Sequence, residues 1–229
     1  MAKHLDLEEQ EQLDQLKHFW NKWGSLISSL IVVVAGSVAA WNGYQYWQNR
    51  QAGQAAALFE SVEAALRSGD QARMSQAFED IRGRYPRTVQ AAQAGLAVAK
   101  AMVDAGKLDG AKDALNWVAE NAGDDGLKAI AQLRLASVLL DQKDYDEALK
   151  HLSAKIPVEF EGAFADRRGD IFVLQEKRPE AIAEYTKAYK RIDEKIEYRG
   201  LVEVKLAALG ASPVAATIEA SLPVQGVRR

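Results

Sequence analysis

The chain has three histidines, His4, His18 and His151, and no cysteine. A catalytic or structural metal centre needs three or four convergent ligands, and a Ser-His-Asp relay needs a histidine held between a hydroxyl and a carboxylate. Two of the histidines fall in the first 22 residues and the third far along the chain, so neither arrangement can be proposed. Without thiols there is no disulfide, no thiol catalysis, no cysteine zinc site and no lipidated N-terminal cysteine. Asp124-Asp125, after Gly123, reads as a turn and helix cap rather than a metal site. Arg167-Arg168, between Asp166 and Asp170, reads as a solvated helix surface, the alternative being a contact for a partner's carboxylates. Gly83, Gly95, Gly106 and Gly110 are scattered at helix ends or inside helices and make no phosphate-cradling loop. The expectation is a non-enzyme with no cofactor, metal or small-molecule substrate. The net charge of −3 gives no footing for nucleic acid. What remains is a surface for binding protein.

That surface needs something to hold it. From Trp23 to Asn49 there is no charged residue, and Leu26 to Trp41 is broken only by serines and one glycine. At about 1.5 Å per residue such a helix reaches past the roughly 30 Å hydrocarbon core of a bilayer. Inside lipid the backbone amides must be satisfied within the segment, so it must be helical there. Leu26, Ile27, Leu30, Ile31, Val32, Val33, Val34, Val38 and Trp41 are the expected anchor residues, with Gly36 allowing close approach of a neighbouring membrane helix. Trp20 and Trp23 stand at one border, and Trp41, Tyr44, Tyr46 and Trp47 at the other, as interfaces favour. A buried helix of a soluble domain and a cleaved signal peptide are the rival readings. The first is disfavoured by the uncharged length, the second by the acid-rich residues that precede the segment.

The expected organisation is residues 1–22 as a tail, 23–47 as a membrane helix, 48–210 as a repeat domain and 211–229 as a disordered end. In the tail, Leu13, Leu16, Trp20 and Trp23 share one helical face. That stripe either lies on the membrane interface or docks on a partner. Lys17 and Lys22 against Arg50 and the more distant Arg67 tip the orientation slightly towards an N terminus in the cytoplasm.

Beyond Trp47 the pattern is helix, break, helix, break. The breaks fall at Ser68-Gly69-Asp70, Tyr85-Pro86, Asp104-Ala105-Gly106, Asn121 to Asp125, Gln142-Lys143-Asp144, Ile156-Pro157 and Lys177-Arg178-Pro179. The helices between them run about 12 to 19 residues. A repeat is visible. Met74, Ala111, Ala148 and Ala181 occupy equivalent places, separated by 37, 37 and 33 residues. Twelve residues before each comes Val62, Ala99, Ala136 or Gly169, mostly small; four after each comes Phe78, Leu115, Leu152 or Tyr185, always large. Small residues let the two helices of a hairpin approach, and the large residue fills the gap to the next hairpin. The fold class is therefore all-α. Four stacked hairpins resembling the tetratricopeptide repeat form a strip with a concave face, and Leu201, Val202, Val204, Leu206 and Leu209 supply a capping helix before Gly210.

A more specific likeness is carried by Glu11 to Gly24 at the membrane entry, Tyr46-Trp47-Gln48 at the exit, Arg84-Tyr85-Pro86, the run Leu115 to Ala122 around Trp117, Leu133 to Ala136, and Arg168 to Ile171. Across residues 8 to 209 the chain resembles the YfgM family. The likeness departs at Trp23, where that family often has a small polar residue, and in the proline-containing C-terminal tail. The resemblance implies a bacterial inner-membrane protein of single-pass type II topology, with a short cytoplasmic tail and a periplasmic tetratricopeptide-like domain. It implies an ancillary subunit of the SecYEG translocon that associates with the periplasmic chaperone PpiD and assists secreted clients as they emerge. No catalytic residue is carried over. The alternative is a membrane-tethered scaffold of the same topology in another envelope-assembly or division complex.

Overall fold

The structure, a computed structural model, describes residues 7–212. The expected disorder of the C-terminal tail therefore lies, from residue 213 on, outside the described residues, as does His4. Among the described residues there are nine α-helices and no strand. The chain divides into two units between Gln51 and Ala52, inside α1 (Leu7–Ser68).

The first unit is the N-terminal part of α1. It contains a stretch long and apolar enough to cross a membrane. Its aliphatic side chains are not packed: Leu26, Leu30, Ile31, Val32, Val33, Val34, Val38 and Trp41 are all more than half exposed, and Ile27 is half-buried. A core helix of a soluble domain would bury this surface, and leaving it in water costs about 25 cal/mol for each Å². Two local devices suit lipid. Ser37 donates its hydroxyl to the Val33 carbonyl at 2.8 Å, keeping the polar group inside the helix. Gly24 is the one buried residue of the segment, and a Cβ there would stand 3.2 Å from the Trp20 indole, so that ring lies against bare backbone. Leu13, Leu16, Trp20 and Trp23 of the tail stripe are exposed on the same helix.

The second unit is a succession of hairpins. The end of α1 faces α2 (Gln71–Arg84); then α3 (Val89–Asp104) pairs with α4 (Leu108–Asn121), α5 (Asp125–Asp141) with α6 (Tyr145–His151), and α7 (Glu161–Leu174) with α8 (Arg178–Arg191), closed by α9 (Tyr198–Ala208). The turns repeat more regularly than the side chains do. Backbone in the left-handed region recurs at Gly69, Gly106, Lys143, Glu176 and Gly210. From the second of these on, the chain closes a double hydrogen-bonded helix stop: Lys107 N–H to the Met102 carbonyl at 2.8 Å, Asp144 to Leu139 at 2.9 Å, Lys177 to Phe172 at 2.8 Å, and Ala211 to Leu206 at 3.0 Å. Gly210 thus places α9 as the first helix of a fifth, incomplete unit. Asp70, Thr88, Asp124 and Asp144 start the helices that follow them, each side chain accepting a backbone N–H three residues on.

Met74, Ala111, Ala148 and Ala181 are buried, as are Val62, Ala99, Ala136 and Gly169, and Phe78, Leu115, Leu152 and Tyr185. At Gly169 the approach is so close that a Cβ would lie 2.5 Å from the Tyr185 ring. At Gly95 it would lie 2.4 Å from Val118. The core falls into two clusters. The larger runs from Ala55 to Ile171; the smaller joins Ala165, Ala181, Tyr185, Ala188, Val202 and Leu206. α7 contributes to both.

Two details differ from expectation. α6 has only seven residues, because the chain stops at Leu152 and reaches α7 through Pro157 and a 3-10 turn at Val158–Phe160. Arg178 and Pro179 lie in the first turn of α8 instead of in the break; proline is tolerated there because its missing N–H would have had no partner.

Candidate functional site

The residues with the most chemical potential gather between α7 and α9. Asp166 is 1% exposed. Lys205 donates to both of its carboxylate oxygens at 2.8 Å and to Asp170 at 2.7 Å. The Tyr198 hydroxyl donates to Asp166 at 2.5 Å, and that of Tyr185 to Asp170 at 2.8 Å. Burial first, then the neighbouring carboxylates, pushes both phenols well above the ordinary tyrosine range. Lys205 and both phenols each meet a carboxylate. The cluster is a buried network that fastens the last helix.

The reading of Arg167-Arg168 as a solvated surface is corrected for Arg168. Its side chain is mostly buried; it donates to the Leu152 carbonyl at 2.8 Å and to Glu184 at 2.9 Å. It thereby caps a carbonyl at the end of α6 and ties three elements together. Arg167 keeps a looser contact with Asp170 at 3.6 Å. Asp124 is a helix cap, accepting from Leu127 N–H at 2.8 Å. His151 sits beside Glu147 at 3.4 Å near the end of α6, and His18 is exposed on α1. Among the described residues no group of three or more His, Asp or Glu side chains is placed to hold a metal ion.

Two grooves offer binding space. One, of about 350 Å³, lies between α3 and α5. Ala99, Val103, Leu115 and Val138 make its floor, with Lys100, Arg134, Ser137 and Asp141 at the rim. The other, of about 310 Å³, lies one unit earlier, between the end of α1 and α3, over Ala65, Leu66, Met74 and Ala101, with Gln71 and Asp104 beside them. Ala99, Leu115 and Met74, which pack the repeats, therefore also floor the grooves. The other repeat positions, including Ala136, Ala148, Leu152 and Gly169, are interior. Both spaces are mainly apolar with a few polar groups at the edge, a lining that accommodates side chains of another polypeptide.

Residues 17–211 match the family model of a tetratricopeptide repeat-like domain. A protein of Neisseria gonorrhoeae described as an ancillary SecYEG translocon subunit is 35% identical over 213 residues, covering 91% of this chain and the whole of that protein. Proteins of the same description from Haemophilus influenzae and Escherichia coli are 26% and 27% identical; they cover 74% and 71% of this chain, and 82% and 78% of their own lengths.

Proposed function

The chain belongs to the tetratricopeptide repeat-like family of ancillary SecYEG translocon subunits, and on that premise we propose that it is a membrane-anchored, non-catalytic subunit working beside the translocon of its own cell. The observation that carries this reading is the exposed apolar stretch of α1 in a chain that matches its Neisseria relative end to end. The N terminus lies in the cytoplasm and the repeat domain in the periplasm. This orientation is supported by Lys17 and Lys22 ahead of the span. The division into tail, span at 23–47 and repeat domain at 48–210 follows from the same anchor.

The mechanism is tethering. An anchor beside the channel holds the grooves at an effective concentration in the millimolar range near emerging chains, so that each contact can be weak. Shallow apolar grooves with polar rims suit transient contact with secreted clients. The same domain offers a face to a PpiD-like periplasmic chaperone. The non-catalytic reading is supported by the repeat-domain match and by the pairing of the buried Asp166 with Lys205 and Tyr198.

Site-specific photocrosslinking tests this. A photoreactive residue at Leu30 or Val34 is expected to capture a translocon subunit, and one at Val103 to capture the chaperone or a client. Capture of division or envelope-assembly proteins from all three sites, with no translocon adduct, would favour the scaffold of a different complex.

A further inference from the structure

The groove between α3 and α5 ends on charges of opposite sign. Arg134 is exposed, and the one hydrogen bond its side chain makes among the described residues goes to the Leu96 carbonyl at 3.3 Å, leaving most of its donors open. Asp141 is the last residue of α5, exposed, with a side chain that pairs with nothing among the described residues. The negative end of the α5 dipole lies beside it. Lys100, also on the rim, is closed in a pair with Asp104 at 2.6 Å. The earlier groove has no such open pair, because Asp104 is the acid at its edge and is already matched. Seven residues of helix put Arg134 and Asp141 about 10 Å apart along α5.

We propose that this groove selects a polypeptide segment in polyproline II conformation in which aliphatic residues are flanked by an acidic and a basic residue three positions apart. One of the aliphatic side chains between them sits over Val103, Leu115 and Val138. The acid meets Arg134 and the base meets Asp141; in a polyproline II segment residues three positions apart share one edge and stand about 9 Å apart, close to the distance between the two rim charges. This selectivity rests on the client-binding reading above and gives it a sequence preference. Arg134 and Asp141 are its specificity-determining residues.

The test uses the full-length protein in lipid nanodiscs and fluorescein-labelled eight-residue peptides at low salt. Their central residues are Glu-Leu-Leu-Lys, Gln-Leu-Leu-Gln, Lys-Leu-Leu-Lys or Glu-Leu-Leu-Glu, and binding is read by anisotropy. The mixed-charge peptide is expected to bind about fivefold more tightly than the neutral one, the effect of two exposed ion pairs. Asp141→Lys should move the preference to the doubly acidic peptide, and Arg134→Glu to the doubly basic one, with unchanged thermal unfolding. Equal affinity for all four peptides would overturn the charge selection while leaving client binding in place. Failure of every peptide to bind would overturn the groove as the client site, and retained co-purification with the translocon would show that the tethering role stands without it.

Discussion

At the scale of single residues, Lys143 and Glu176 hold left-handed backbone with φ of 61° and 59°, at places equivalent to Gly69, Gly106 and Gly210. A side chain there costs about 1 kcal/mol relative to glycine. Lys143→Gly and Glu176→Gly should each raise the thermal midpoint of the solubilised protein, followed by circular dichroism, while Gly106→Ala should lower it. Gly169 is the opposite case, ruled by space and not by backbone angle. Adding a methyl group against Tyr185 is expected to cost about 1–3 kcal/mol in Gly169→Ala, seen as a lower denaturant midpoint. Gly169 was legible in the sequence because it falls in the small position of the repeat. The turn at Lys143 was legible only as a break and the one at Glu176 lies just before the predicted break at Lys177, since nothing in a lysine or glutamate announces a left-handed conformation. The role of Arg168 was not legible at all. Its partners, the Leu152 carbonyl and Glu184, each lie 16 residues away, and only the packed hairpins bring them together.

At the scale of elements, α9 is held by two buried apolar residues, Val202 and Leu206, and by the Lys205 network. Spacing along the chain predicts the cap, but of its five apolar residues Leu201 and Val204 are exposed, on the face turned away from α8. It was blind to Asp166 and Lys205, which are 39 positions apart and look like ordinary surface charges until α7 and α9 meet. Lys205→Met leaves Asp166 buried without its cation. The expected loss is about 2–3 kcal/mol, discounted because Lys205 is partly exposed. Since the α8–α9 cluster is separate from the main core, hydrogen exchange should speed up at Val202 and Leu206 and stay unchanged at Val118. The same interface makes stability sensitive to alkali. Tyr185 and Tyr198 have phenol pKa values raised above the ordinary 10.0, so the folded chain retains protons that the unfolded chain releases. Their contribution is fully present below about pH 10 and is lost as the pH rises above it. Urea midpoints measured from pH 8 to 11 should fall at the alkaline end, and the fall should be shallower in Tyr185→Phe.

At the scale of the whole molecule, a chain with no charge from Trp23 to Asn49 continues into a stack of hairpins whose grooves are open and whose buried carboxylate, Asp166, is paired. The span and the stack were both readable from periodicity and charge, because burial in lipid and burial between helices each leave a regular mark on residue choice. The grooves were readable only as the inner faces of the repeat; their charged ends depend on which rim residues find partners. The absence of cysteine makes the orientation directly measurable, since any thiol introduced is the only one in the chain. In cells with a permeabilised outer membrane, a membrane-impermeant maleimide should label Lys150→Cys and leave Lys3→Cys unlabelled until the inner membrane is broken. Labelling of Lys3→Cys with Lys150→Cys protected would place the repeat domain on the cytoplasmic side and contradict a role beside emerging secreted chains.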